Sequence, residues 1–211
     1  APDEGLNGNF AVQVAQTGVT KLFYPGRSIT EGFVILKQAV MVKLFGANAF
    51  ALRVTAVGAA LFSILGLYLL VKIIFGNWEM AALASFFMSI SLWHLIYSRM
   101  GIAVIFAPLL MVWSVYFFWR GLRWSHDLNF AVGGALVGLG MYVSSSLALM
   151  PLAFLATTLA HWQAVKKDFS QTKYLTSRIR LLHGFGWFFF ALFVVVLPLI
   201  VYLTQRPDEL R

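Results

Sequence analysis

Residues 50–75 read FALRVTAVGAALFSILGLYLLVKIIF, from Phe50 to Phe75, and their only charged members are Arg53 and Lys72. A hydrocarbon core takes about 20 consecutive apolar residues to cross as a helix. This stretch supplies them with no charge at its middle, and Gly76-Asn77 breaks it at the far end. Outward from it the pattern repeats: Met80 to Tyr97, Ile102 to Trp119 and Phe185 to Leu203 each read as a further span. The remaining apolar stretch, Phe130 to Trp162, is too long for one crossing at about 1.5 Å per residue. Ser144-Ser145-Ser146 falls near its middle and Pro151 soon after, so two shorter helices meeting at the serines are expected. Gly134 and Gly138 form a small-xxx-small pair in the first of them, which permits close helix approach.

Composition agrees with this reading. Hydrophobic residues make up 60% of the chain and charged residues only 11%, whereas a soluble domain carries about a quarter charged. The mean hydropathy is +0.81. Lipid is the solvent that such a surface fits, and 20 Phe, 7 Trp and 7 Tyr suit membrane–water boundaries. The chain has no cysteine, which excludes disulfides, thiolate metal sites and a cysteine nucleophile. The net charge of +8 does not point to nucleic acid, because the basic residues form no stripe with stacking aromatics. They sit in short gaps between apolar runs.

Those gaps give the sidedness. Dividing Phe130–Trp162 makes six crossings, and then Arg120–Asn129 and Lys166–His183 share one side. The first carries Arg120 and Arg123, the second Lys166, Lys167, Lys173, Arg178 and Arg180. The excess of positive charge makes that side cytoplasmic. The first fifty residues, the Ser98–Gly101 turn and the serine turn then lie outside. Thr30 to Phe45 has helical spacing of Phe33, Leu36, Val40 and Leu44, with Lys37 and Lys43 off that stripe, as an interfacial helix would. The expected class is an all-α, polytopic membrane bundle of about six transmembrane helices plus an outer-face interfacial helix. Residues 1–49 are expected as an outer loop with the acidic pair and a juxtamembrane helix, 50–204 as the transmembrane helical domain and 205–211 as an outer-side stub. The polar opening Ala1-Pro2-Asp3-Glu4-Gly5, without initiator Met or signal peptide, reads as the start of a fragment.

The outer face collects the polar candidates. Asp3 and Glu4 are an acidic pair beside a glycine. Such a pair could serve as general base or hold a divalent cation near a phosphate, although position alone favours ordinary solvated carboxylates. Arg99 ends the run His94-Leu95-Ile96-Tyr97-Ser98-Arg99, where its planar fork could clamp a lipid phosphate or simply snorkel to headgroups. Arg53, near the outer start of its span, admits the same two readings. Lys37 could meet lipid phosphate, Tyr142 offers a hydroxyl, and the lone His94 reads as a packing residue. No carboxylate lies mid-span, as ion-coupled transporters usually require. No P-loop, HExxH or dinucleotide fingerprint is present.

Taken in order, these pieces resemble the protein mannosyltransferase-like membrane glycosyltransferases of GT-C fold (glycosyltransferase family 39-like), which include the aminoarabinose transferases. Asp3-Glu4-Gly5 resembles their first-outer-loop acidic motif. Thr30-Glu31-Gly32-Phe33-Val34-Ile35-Leu36-Lys37-Gln38-Ala39, with Leu44-Phe45-Gly46 and Ala51-Leu52-Arg53, is similar to their loop helix and the start of the next span. Tyr97-Ser98-Arg99 looks like their "ySR" signature, and Gly138–Tyr142 leading to Leu149-Met150-Pro151 resembles a later one. The chain departs from the usual proline-rich element, which stands here as Glu31-Gly32.

The resemblance implies sugar transfer from a polyprenyl-phosphate donor to a glycan, lipid or protein acceptor on the outer face of a bacterial or archaeal plasma membrane. It implies Asp3 as the base on the acceptor hydroxyl with Glu4 assisting, and Arg99 on the leaving phosphate. Arg53, Lys37 and Tyr142 are the further substrate-binding candidates. It requires no certain cofactor, and leaves the metal unknown and a divalent cation possible. The competing expectations are a flippase of lipid-linked intermediates, which needs a polar pathway through the spans, and a non-catalytic scaffold, which would leave Asp3 and Arg99 far apart with no outer cavity.

Overall fold

The computed structural model of the chain describes residues 2–18, 32–124, 126–144, 147, 149–157 and 173–205, and every regular element among these residues is helical. The helices are α1 (Pro2–Thr17), α2 (Gly32–Phe45), α3 (Ala49–Phe75), α4 (Trp78–Ile90) and α5 (Leu92–Arg99). A 3₁₀ turn (Ala103–Ile105) leads into α6 (Phe106–Trp124), followed by α7 (Asp127–Met141). Residues 150–157 are helical (α8), and α9 is Lys173–Gln205. Three stretches are long and apolar enough to cross a membrane, Ala49–Phe75, Ala103–Trp124 and Leu182–Tyr202, and the pair α4 and α5 makes a fourth if it is one bent span. The protein is an all-α membrane protein. Among the described residues this gives three or four long crossings, with α7 a shorter apolar helix.

Local chemistry explains the boundaries. The Asn48 side chain accepts from the Ala51 amide at 2.8 Å and starts α3. Gly76 ends it in the left-handed region, φ 70°, with its N–H donating to the Lys72 carbonyl. Asn77 caps α4 at once, accepting from Glu79 N–H at 2.7 Å. Two residues thus suffice to stop one helix and start the next. The stretch Met80–Tyr97, expected as one straight span, is instead broken at Ser91, where α4 and α5 bend by 60°. Ser91 has extended backbone, φ −59° and ψ 124°, so the helical ladder cannot run through it.

Two further differences concern the ends. Pro2–Thr17 is a helix that apolar periodicity did not announce. The final helix starts at Lys173, well before the apolar run at Phe185. The division of Phe130–Trp162 is seen: α7 stops at Met141, and residues 142–144 leave the helix. Ser145, Ser146, Ala148, Glu31, residues 158–172 with Lys166 and Lys167, and residues 206–211 lie outside the described residues.

The chain divides into two compact units, Ala1–Trp113 with Tyr142–Ser145, and Ser114–Met141 with Ser146–Arg211. In the first unit α3 buries a stripe of small residues, Ala56, Ala59, Ala60, Ser63 and Gly66, the composition that lets helices approach closely without a hydrophobic drive. Trp113 lies on Gly66, where a Cβ would come within 2.9 Å of its Nε1, and that Nε1 donates to the Phe62 carbonyl at 3.0 Å. His94 is buried with Nε2 3.3 Å from the Ala60 carbonyl, tying α5 to α3. In the second unit α7 packs on α9 through its glycines. A Cβ on Gly134 would overlap the Phe188 carbonyl, and one on Gly138 would lie 2.9 Å from Val195 Cβ. Around them Phe118, Phe130, Phe154, Phe185 and Phe188 form one buried cluster.

Candidate functional site

The first unit is built by α2 lying against both α1 and α3. The side of α2 that faces inward carries Val34, Ile35, Gln38, Ala39 and Val42, all buried. Ala11 and Val14 of α1 and Ala51 of α3 complete that core. The stripe picked out from periodicity is the opposite side: Leu36, Val40 and Leu44 are 42%, 49% and 67% exposed. An apolar stripe left open on a helix next to a membrane domain is what an interfacial helix presents to lipid. Phe33, the fourth member, has no described side chain.

One junction ties the elements together. Gln38 donates from Nε2 to the Gly101 carbonyl at 2.6 Å, a buried bond spanning 63 positions of sequence. Gly101 follows α5 by two residues, and a Cβ there would come within 3.0 Å of both Gln38 Nε2 and the Leu52 carbonyl oxygen. Leu52 in turn reaches α1, its Cδ1 lying 2.8 Å from the Cβ position of Gly8. So α1, α2, the beginning of α3 and the end of α5 meet around Leu52 and Gly101.

Three of the candidate residues adjoin this junction in sequence. Arg99 is the last residue of α5, two before Gly101, and its side chain is exposed. Arg53 adjoins Leu52 and is exposed too. Lys37 adjoins Gln38 and is half-buried, its ammonium 3.1 Å above the centroid of the Phe106 ring. Burial pushes Lys37 down from its ordinary value to about 7, an effect that the electron-rich face of Phe106 opposes. Asp3 and Glu4 occupy the first turn of α1, one turn before the buried Asn7; their side chains are not among the described ones. Tyr142, distant in sequence, is half-buried and belongs to this same unit. All six candidates therefore fall in the first unit.

Two buried amides of the first unit were not singled out by sequence reasoning. Asn7 and Gln38 are 1% and 0% exposed. Asn7 Oδ1 and Gln38 Oε1 are buried without a hydrogen-bond partner among the described residues. A net hydrogen bond contributes about 1 kcal/mol, whereas an unpaired buried acceptor costs roughly 1–3 kcal/mol. Gln38 thus gives no stability that an apolar residue would not give more cheaply. The available signal was an uncharged amide inside the otherwise apolar run Phe33–Phe45, beside a lysine.

Chemically, three basic residues, Lys37, Arg53 and Arg99, adjoin in sequence the residues of one buried junction. Cations so placed suit an anionic phosphate, with arginine adding a planar, bidentate fork. Among the described residues no group of three His, Asp or Glu side chains comes together as a metal site.

Residues 33–187 match the family described as dolichyl-phosphate-mannose-protein mannosyltransferase. That stretch contains Lys37, Arg53, Arg99 and Tyr142, and it begins after Asp3 and Glu4. No curated protein and no solved structure matches the chain.

Proposed function

Because the chain belongs to the dolichyl-phosphate-mannose-protein mannosyltransferase family, membrane glycosyltransferases of GT-C type, we propose that it moves a sugar from a polyprenyl-phosphate carrier to an acceptor hydroxyl on the outer side of a bacterial or archaeal plasma membrane. The acceptor O–H gives its proton to the Asp3 carboxylate while its oxygen bonds to the anomeric carbon. The bond from that carbon to the phosphate oxygen breaks, and polyprenyl phosphate leaves with the electron pair. Glu4 assists the base. Arg99 holds the phosphate as its charge grows, the role in which a pre-placed cation contributes most. Lys37 and Arg53 supply further positive charge, and the Tyr142 hydroxyl is available to the bound substrate. A divalent cation beside the phosphate is compatible with this scheme and is not required by it.

What supports the reading is the family match over residues 33–187, with Lys37, Arg53 and Arg99 adjoining in sequence the residues that meet at the Gln38–Gly101–Leu52 junction. The test is transfer of labelled sugar from polyprenyl-phosphate donors by the full-length protein in proteoliposomes, with Asp3→Asn alongside. Transfer by wild type, lost in a variant that still folds and binds donor, supports the scheme. No transfer from a competent donor panel, with movement of the lipid-linked sugar between leaflets instead, replaces it with a flippase.

A further inference from the structure

We propose that Gln38 is a positioning residue for Arg99, holding the turn that sets where the guanidinium stands. The inference rests on the reading of Arg99 as the phosphate clamp. Three observations lead to it. The Gln38 amide is wholly buried in a helix face that is otherwise apolar, between Ile35, Ala39 and Val42. It makes one short bond, 2.6 Å, and that bond reaches not its own helix but the carbonyl of Gly101, two residues beyond Arg99. The turn also lies close to α3, since a Cβ at Gly101 would stand 3.0 Å from the Leu52 carbonyl oxygen.

The geometry at Arg99 makes such a grip necessary. Arg99 is the final residue of an eight-residue helix that is itself bent by 60° from α4, and its side chain is exposed. A short helix ending in solvent or headgroups does not fix its last residue alone, because terminal turns fray. His94 anchors the first turn of α5 to α3 through the Ala60 carbonyl. Gln38 anchors the far end to α2. Between them the two bonds set both ends of the helix that carries the arginine. A bidentate grip on phosphate depends on orientation, so it gains from a fixed base.

The test is equilibrium binding of radiolabelled polyprenyl phosphate to the full-length protein in nanodiscs. It uses Gln38→Met, Arg99→Ala and the double variant, with thermal unfolding of each. Methionine keeps length and packing but cannot donate. Gln38→Met is expected to weaken binding roughly tenfold with little change in unfolding temperature, and to add nothing in the Arg99→Ala background. Gly101→Ala, which disturbs the same turn from the backbone, is expected to do likewise and keeps the test open should Gln38→Met not fold. Losses that multiply in the double variants would overturn the inference, because Gln38 would then act independently of Arg99. If Arg99→Ala weakens binding and neither turn variant does, the inference alone fails. If Arg99→Ala itself leaves binding unchanged, the phosphate-clamp reading fails and takes the inference with it.

Discussion

The two units fill their interiors with different materials. In the first, the buried polar side chains among the described residues are Asn7, Gln38, Ser63 and His94, set among alanines such as Ala11, Ala39, Ala51, Ala56 and Ala59. In the second, Ser114 is the buried polar side chain among the described residues, and the bulk comes from Phe118, Phe130, Phe154, Phe185 and Phe188, with neighbouring ring centroids 4.5 to 5.8 Å apart. Aromatic clusters of this kind supply area and edge-to-face contacts without directional polar demands. Buried amides do the reverse, adding direction at the expense of stability. On the proposed reading, the first unit carries the chemistry and the second is framework.

The hardest test of that assignment is a substitution in the framework. Gly134→Val places a side chain where the Phe188 backbone already lies, so α7 and α9 must part. The expected penalty is on the order of 4 kcal/mol or more, seen as loss of monodisperse protein on size exclusion in detergent. Normal yield and melting would mean that the α7–α9 contact is not the structural core of its unit. Next in size is Asp3→Asn in the first unit. Sugar transfer should fall roughly 10²- to 10⁴-fold, the usual contribution of a positioned base, with the melting temperature unchanged. A melting loss comparable to that of Gly134→Val would erase the distinction between the units. Smaller again is Phe118→Leu, expected to cost about 1–2 kcal/mol in thermal unfolding while donor affinity stays at the wild-type level. A selective loss of affinity there would place chemistry in the wrong unit.

How far all this could be read beforehand follows from which forces leave a trace in sequence. Long apolar runs do: α3 was expected as Phe50–Phe75 and is Ala49–Phe75. The Gly76-Asn77 stop is equally plain, since a left-handed glycine and an asparagine cap are local chemistry. The Ser91 break was not legible, because no proline or glycine marks it and neighbouring serines such as Ser85 and Ser89 sit inside the helix by donating back to its own carbonyls. α1 escaped for a related reason. Its fully buried apolar residues, Ala11 and Val14, are small, and Phe10, Val12 and Ala15 beside them follow no single helical stripe, so packing on α2 makes it a helix more than its own pattern does. For α2 the helix was legible but its inner side was not. Periodicity marks an apolar stripe, and in a chain bordered by lipid such a stripe can face outward. Arg53 and Arg99 were picked out as arginines at helix ends, and Lys37 as a basic residue on the expected interfacial helix. Gln38 was passed over because its partner, Gly101, is 63 positions away and offers a backbone carbonyl, which every residue has.

The smallest effect sharpens the comparison within the first unit, where Lys37 is polar by chemistry yet half-buried by position. Burial brings it down to about 7, so between pH 6 and pH 8 the side chain passes from mostly ammonium to mostly amine. If the ammonium helps to bind donor phosphate, kcat/KM for the donor should fall by up to about tenfold across that interval. A phosphodiester-linked sugar carries no proton that titrates there, so the enzyme is the source of the change. Lys37→Arg should flatten the profile, because guanidinium stays charged throughout. Stability moves the other way. Between about pH 7 and 10.5 the unfolded chain holds a proton on Lys37 that the folded chain has released, so unfolding becomes harder as pH rises. Activity that declines while melting temperature climbs over pH 7 to 8.5, both trends lost in Lys37→Arg, is the expected signature of a lysine kept part-buried to serve the donor. A donor profile identical in the two proteins would return Lys37 to an anchoring role on α2 and leave the phosphate to Arg99 and Arg53.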